Sequence, residues 1–269
     1  MGKFFNQILK MDILEVFILS LVEGLTEFLP ISSTGHLMAA AELLDIALSD
    51  FLSSFLIFIQ LGAILAVVVL YVKRLRTDVV LLKKIAAAWL PTALIGFALY
   101  SIIKEVLLTN LSVVAWSLGL GGAGLIIFER WLGRHPERMN RFDLETLSYR
   151  QAVIIGCYQA LAIVPGVSRS GATIIGGLAL GLSRSAIVEF SFLLAIPTMV
   201  AAVGYDLWQS GLAFNAVEWQ AMALGFALSF IFSLVAIKWL LAFVQKHDFS
   251  WFGVYRIVVA VFIYLVIIS

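Results

Sequence analysis

The chain reads as a succession of apolar runs, each near the ~20 residues that carry a helix across the hydrocarbon layer of a bilayer. Between charge clusters, Phe51 to Val72, Ile85 to Ile103 and Leu111 to Phe128 qualify in the first half. Ala186 to Tyr205, Glu218 to Val244 and Phe252 to Ile268 qualify in the second. Two further regions, residues 12–48 and 151–183, are hydrophobic but interrupted by Pro, Gly, Ser and charge. Each is long enough to enter a membrane and turn back. The expected fold is all-α and integral to the membrane, with six transmembrane helices plus two re-entrant helical hairpins.

Short loops that keep Lys and Arg mark the cytoplasmic side. Lys73, Arg74, Arg76, Lys83 and Lys84 crowd the first inter-span loop, and Arg130, Arg134, Arg138, Arg141 and Arg150 fill residues 129–150. The stretch Lys104 to Asn110 is then external. Lys238, Lys246 and His247 return to the inside if the 151–183 segment is a re-entrant hairpin.

The two interrupted regions are related. Ser32-Ser33-Thr34-Gly35 and Ser168-Arg169-Ser170-Gly171 lie 136 residues apart, the same offset sets Glu23 on Gln159, and a proline precedes both, Pro30 and Pro165. Ser54 to Gln60 resembles Ser191 to Pro197 at an offset of 137. One hairpin and three crossings per half is an odd number of crossings, which inverts the second copy relative to the first. That is the repeat architecture in which broken helices meet near the membrane midplane. The chain is therefore expected to be a single membrane domain of two inverted-topology repeats, about 1–128 and 151–269, joined by a cytoplasmic loop at 129–150.

Composition agrees and narrows the function. Hydrophobic residues make up 62% and charged residues 13%, with a mean hydropathy of +1.04, whereas a soluble domain carries roughly 25% charged residues. A water-soluble globule is excluded. The net charge of +1 argues against a nucleic-acid partner held by a positive field. A single cysteine, Cys157, excludes an internal disulfide and a cysteine-based metal cluster. Glu15, Glu23 and Glu27 interrupt the first apolar stretch, which does not read as a cleavable signal. The Gly119–Gly124 run lies within a span and fits close helix packing, since no strand precedes it as a nucleotide motif requires. Trp208, Trp219, Trp251 and Tyr255 fit an interfacial belt. Glu189 suits either a supporting partner of the site or an interfacial charge.

Ionisable groups within hydrocarbon are functional candidates by default, and here they cluster. Glu23 and Glu27 stand at i and i+4, on one helical face. Like charges so close imply a shared proton, a cation or a wet cavity. The loops that follow suit an anion: Pro30 ends one helix, Gly35 and Gly171 allow backbone conformations closed to other residues, and Ser32, Ser33, Thr34, Ser168 and Ser170 can cap the next helix. Free N–H groups at such an N-terminus make a phosphate seat, and the planar fork of Arg169 can pair two phosphate oxygens. Arg169 is equally able to form an ion pair with Glu23 or Glu27. His36 is either a hydrogen-bonded structural histidine or an acid–base group. Carboxylates beside a phosphate repel it unless a divalent cation lies between them or one of them moves a proton. Both routes point to phosphoryl chemistry.

At these residues the chain resembles a known family. Glu23-Gly24-Leu25-Thr26-Glu27-Phe28-Leu29-Pro30-Ile31-Ser32-Ser33-Thr34-Gly35-His36 is similar to the first signature of bacterial undecaprenyl pyrophosphate phosphatases of the bacitracin-resistance type. Pro165-Gly166-Val167-Ser168-Arg169-Ser170-Gly171-Ala172-Thr173 is similar to the second. The resemblance runs over essentially the whole chain. It implies hydrolysis of undecaprenyl diphosphate to undecaprenyl phosphate and inorganic phosphate, which recycles the lipid carrier of peptidoglycan synthesis and confers bacitracin resistance. It implies Glu23 and Glu27 as the essential acidic pair and metal ligands, and Ser33 and His36 in the catalytic centre. Arg169 would hold the diphosphate, and the cofactor would be a divalent cation, Mg²⁺ or Ca²⁺. The partners are a polyisoprenyl diphosphate and membrane lipids, a homodimer is compatible with the sequence, and the expected location is the bacterial cytoplasmic (inner) membrane, on which the lipid is hydrolysed at the outer face. Ser33 serves as nucleophile or as the group orienting water, with His36 or Glu27 handling the proton. The rival reading is a polyisoprenyl-phosphate transporter or flippase, because inverted repeats with broken helices are also a transporter architecture.

Overall fold

A computed structural model describes residues 11–47, 49–98, 110–210 and 214–268. The first hairpin is α1 (Ile13–Thr26) and α2 (Ser33–Leu43), followed by the long helices α3 (Asp50–Thr77), α4 (Val79–Ala98) and α5 (Leu111–Gly133). The second half repeats the order: short α6 (Tyr149–Ala160) and α7 (Arg169–Ala179), then long α8 (Arg184–Ser210), α9 (Ala216–Phe243) and α10 (Ser250–Phe262), which runs on through a π-helical turn at Ile263–Ile268. Among the described residues, six helices are long and apolar enough to cross a membrane, and they fall on the six runs expected from the sequence. Of the Ile85 to Ile103 run, residues 99–103 lie outside the described residues, as does the expected external loop Lys104 to Asn110 apart from Asn110 itself.

Local signals set the helix starts. Asp12 caps α1 by accepting the Leu14 N–H at 3.2 Å, while Glu15 reaches back to the Asp12 N–H at 2.6 Å. The same reciprocal cap opens α6 with Ser148 and Gln151, and α9 with Asn215 and Glu218. Each such cap satisfies N–H groups that have no partner inside the helix.

The basic loops gather on one face. Arg74 at the end of α3 bonds Glu189 at 2.6 Å and Glu145 of the 129–150 loop at 2.7 Å, and Lys84 donates to the carbonyls of Leu144 and Glu145. Glu129 at the end of α5 is gripped by both terminal nitrogens of Arg184 and also accepts the Phe249 N–H at 3.1 Å. The second hairpin starts and finishes on this face: Ser148 follows the loop directly, and beyond α7 the Ser183 N–H bonds the Phe142 carbonyl at 3.0 Å. The first hairpin starts and finishes at the other end, where Met11, Ile46, Phe51 and Phe214 share one apolar cluster. Glu189 therefore serves the basic face through Arg74 and does not reach the Glu27–Arg169 pair.

The short helices have 14, 11, 12 and 11 residues. At roughly 1.5 Å per residue they span about 16–21 Å, short of a ~30 Å hydrocarbon layer. Each hairpin leans on a long helix of the opposite half, α1 on α9 and α6 on α4. Glycines permit the approach: a Cβ on Gly156 would overlap the Ala88 carbonyl of α4, and one on Gly24 would lie 2.6 Å from the Phe232 Cβ of α9. The most enclosed crossing is α8, with 61% of its apolar window buried against 22–39% for the others. The outward faces carry exposed Leu94, Phe97, Leu120, Ile127 and Val258, a surface suited to lipid.

Candidate active site

The hairpin tips meet in the interior. On the first, α1 ends at Thr26 with Glu27 as C-cap, and the chain turns to Ser32, the N-cap of α2. On the second, Ser168 is the N-cap of α7. Ser32 has φ 70° and Ser168 φ 75°. The expectation that Gly35 and Gly171 would take up the unusual backbone is corrected here: at the tips the positive φ falls on Ser32, Ser168 and Gly166 (φ 91°), while Gly35 and Gly171 are helical. They are needed for space. A Cβ on Gly35 would lie 3.0 Å from Val114 Cγ1, and one on Gly171 3.3 Å from Arg256 Nη1. Each glycine N–H is instead the donor to its capping serine, Gly35 to Ser32 Oγ at 3.5 Å and Gly171 to Ser168 Oγ at 3.1 Å.

A carboxylate, a hydroxyl and a guanidinium are joined across the tips. Ser33 Oγ donates to Glu27 Oε2, and Arg169 Nη2 donates to Glu27 Oε1 at 2.9 Å. Arg169 is braced on the other side by the Ser191 carbonyl at 2.7 Å, while its Nε is buried with no partner. Ser170 Oγ ties the second tip to the first through the Leu29 carbonyl at 2.7 Å.

Behind the tips lies Arg256 of α10, 2% exposed. It donates to Gly166 O at 2.8 Å, Val167 O at 3.0 Å and Pro30 O at 3.3 Å, and to Ser117 O and Leu118 O of α5. One guanidinium thus binds both loops and a long helix using all its donor nitrogens. No carboxylate lies within salt-bridge distance of it among the described residues. Sequence reasoning passed over this residue, although a lone arginine inside the Phe252 to Ile268 run carried the same signal that singled out Glu23.

A cavity of about 210 Å³ opens at the tips. Of the residues expected at the site, Glu27, Ser32, Ser33, Thr34, Ser168 and Arg169 line it, and they share the walls with Gln60, Thr92, Gln159 and Thr198 and an apolar side of Ala162, Ile163, Met199 and Ala202. Because α2 and α7 both begin here, two helix N-termini face one small chamber, the arrangement that favours an anion. Gly35, Ser170 and Gly171 stand behind the wall. Glu23 is fully buried one turn before Glu27, with neither carboxylate oxygen partnered. His36 is turned away from the cavity: Nδ1 meets the Ser32 carbonyl at 2.8 Å and Nε2 meets Tyr255 OH at 2.9 Å, with the two rings stacked. Tyr255, expected in an interfacial belt and exposed, also anchors this histidine.

Fold and site together define a class: a multi-pass helical membrane protein that brings a guanidinium, two helix N-termini and a serine–carboxylate pair together at one buried cavity. The family described as "Bacitracin resistance protein BacA" matches residues 16–262, and the chain belongs to that family. It is 51% identical to the undecaprenyl-diphosphatase of Aquifex aeolicus over 91% of this chain and 94% of that one. It is 48% identical to that of a Sulfurihydrogenibium species over 95% and 99%, and 49% identical to that of Thermus thermophilus over 91% and 94%.

Proposed function

We infer that the chain hydrolyses undecaprenyl diphosphate, leaving undecaprenyl phosphate in the membrane and releasing inorganic phosphate, as the name shared by its relatives states for them. The observation that carries this reading is the Ser33–Glu27–Arg169 chain at the wall of a buried cavity. The terminal phosphate enters between the two N-termini, where the free Arg169 Nε supplies a donor and Arg169 screens its charge. Ser33, already hydrogen-bonded to a carboxylate, is the nucleophile, and Glu27 takes its proton. The bridging P–O bond breaks and the lipid phosphate departs with its electron pair. Arg169 holds Glu27 and the phosphoryl oxygens in one frame, so its contribution is positioning and charge neutralisation. His36 fixes the tip by its bond to the Ser32 carbonyl, a role that fits its partners better than proton transfer.

Glu23 and Glu27 would hold a divalent cation. Support comes from the two buried, unpartnered oxygens of Glu23 and from the all-oxygen donor set, which suits Mg²⁺ or Ca²⁺. Two carboxylates leave most coordination positions to substrate oxygens and water, and among the described residues no third His, Cys, Asp or Glu joins them. When bound, the ion would neutralise diphosphate charge.

The two halves are read as inverted repeats, supported by the reciprocal packing of α1 on α9 and α6 on α4. The hairpins are read as re-entrant from opposite leaflets, supported by their length and by the ends at which they start and finish. We read the chain as lying in the bacterial cytoplasmic membrane with its basic face inward, a reading supported by the clustering of Lys and Arg loops on that face. Phosphate release by purified protein in detergent, with and without chelator, tests the reading. A transporter would release none, and restoration of a chelated sample by Mg²⁺ or Ca²⁺ is the result expected of the cation.

A further inference from the structure

Gln159, in the last turn of α6, is fully buried and lines the cavity together with Thr92 and Thr198. Its Nε2 donates to Thr92 Oγ1 at 2.8 Å and to Thr198 Oγ1 at 3.4 Å. Each threonine has one hydroxyl proton, and each has already given it to a helix carbonyl: Thr92 to Gly156 at 3.1 Å, Thr198 to Leu194 at 3.0 Å. Both hydroxyls therefore face Gln159 as acceptors, and only the NH₂ end of the amide satisfies them. The amide cannot turn over without setting its oxygen against two acceptors. Each threonine also follows a proline inside its helix, Pro91 in α4 and Pro197 in α8. The consequence is a fixed acceptor: Gln159 Oε1 is buried and has no partner.

A buried amide oxygen on a cavity wall calls for a hydrogen-bond donor or a cation, and the cation proposed above sits with Glu23 and Glu27 on the first hairpin, whereas Gln159 is on the second. A phosphate oxyanion has no donor to give, whereas a water does. A water donating to Oε1 turns a lone pair elsewhere in the chamber that holds Ser33 and Arg169. We propose that Gln159 is a catalytic residue that binds and orients the water which hydrolyses the phosphoryl group carried by Ser33. This rests on the serine mechanism given above. In that step the water oxygen forms the new bond to phosphorus, and the P–Oγ bond breaks with its electron pair staying on Ser33. Glu27 hands the proton taken in the first step back to Oγ, and both protons of the water leave on inorganic phosphate. Fixed amides that position an attacking water are an established device of phosphoryl transfer.

The test follows undecaprenyl phosphate, inorganic phosphate and the phosphorylation state of the protein separately through the first turnover of Gln159→Leu in detergent. The expected result is a rapid release of one lipid phosphate per chain, inorganic phosphate release slowed about 100-fold, and phosphoprotein accumulating at Ser33, with KM falling alongside kcat so that kcat/KM is little changed. Thr92→Val, which removes one acceptor and frees the amide, should show the same imbalance at smaller size, and it supplies the answer if Gln159→Leu fails to fold. Wild-type phosphate release in either folded Gln159→Leu or, failing that, Thr92→Val overturns the proposal, as does equal slowing of both products without phosphoprotein. Ser33→Ala separates the two failures. If it is inactive while Gln159→Leu is unimpaired, only the water assignment falls; if it turns over normally, the serine mechanism falls first.

Discussion

Ser32 and Ser168 are one residue used twice. They stand 136 positions apart, share φ values of 70° and 75°, cap α2 and α7, and each accepts the N–H of the glycine three residues on. Non-glycine residues held in sparsely populated backbone regions cost of order 1–3 kcal/mol and persist where the surroundings demand them. Here the strain sits at both mouths of the same cavity. It sets the following residue, Ser33 on one tip and Arg169 on the other, at the start of a helix facing Glu27.

Strain and capping can be separated at Ser168. Ser168→Gly removes the strain and, as a cap, gives up only a few tenths of a kcal/mol. Ser168→Ala keeps the strain and loses the cap, costing about 1 kcal/mol. The alanine variant should therefore unfold at lower temperature in detergent than the glycine variant. The reverse order would mean that the positive φ at this position carries no appreciable strain.

Glu27 and Arg169 predict different kinetic losses. Glu27→Gln retains an acceptor for Ser33 but not a base, so kcat should fall by roughly 10²–10⁴ with little change in KM. Arg169→Lys keeps the charge but cannot bridge Glu27 and Ser191 while also presenting a donor to phosphate. It should lower kcat/KM by about 100-fold, with a rise in KM. Steady-state phosphate release on both proteins checks the contrast, and identical profiles would remove the distinction drawn between base and clamp.

The crossings and the paired hairpins were legible because their signals are local: run length, interrupting Pro and Gly, and a repeated Ser/Gly tetrapeptide. The meeting of Arg169 with Glu27 followed from that repeat. What escaped depends on neighbours distant in sequence. Gln159 was visible only as the counterpart of Glu23, since its partners Thr92 and Thr198 come from two other helices. The positive φ was assigned to Gly35 and Gly171 because their lack of a side chain makes glycines the usual hosts, whereas at the tips it falls on Ser32, Ser168 and Gly166. His36 beside two carboxylates suggested proton transfer, but Tyr255, from the far end of the chain, decides where its ring points.

The helical glycines are not equivalent. A Cβ on Gly156 would overlap the Ala88 carbonyl and one on Gly62 the Phe226 carbonyl, whereas Gly124 has nothing within 4 Å. Gly62→Ala and Gly156→Ala should each destabilise by about 1–3 kcal/mol through forced separation of the helices. Gly124→Ala should be neutral or slightly stabilising, because alanine is the better helix former. Thermal unfolding in one detergent ranks the three, and a destabilised Gly124→Ala would contradict the open space beside it.

Arg256 gives the sharpest division between architecture and chemistry. It touches neither Ser33 nor Glu27, yet it joins Pro30 of one tip to Gly166 and Val167 of the other. Arg256→Met matches its length and apolar stem but strands the carbonyls it satisfied. At about 1–3 kcal/mol for each buried polar group left unpaired, loss of even two should be evident as a large fall in unfolding temperature. Arg256→Lys retains a cation with three donors, against five N–H groups for arginine, and should be intermediate. If the guanidinium acts by holding the tips in register, kcat should fall in the same order, Met below Lys below wild type, at temperatures where all three remain folded. Full activity in a folded Arg256→Met protein would mean that Ser170 and the Glu27–Arg169 pair alone keep the two hairpins aligned.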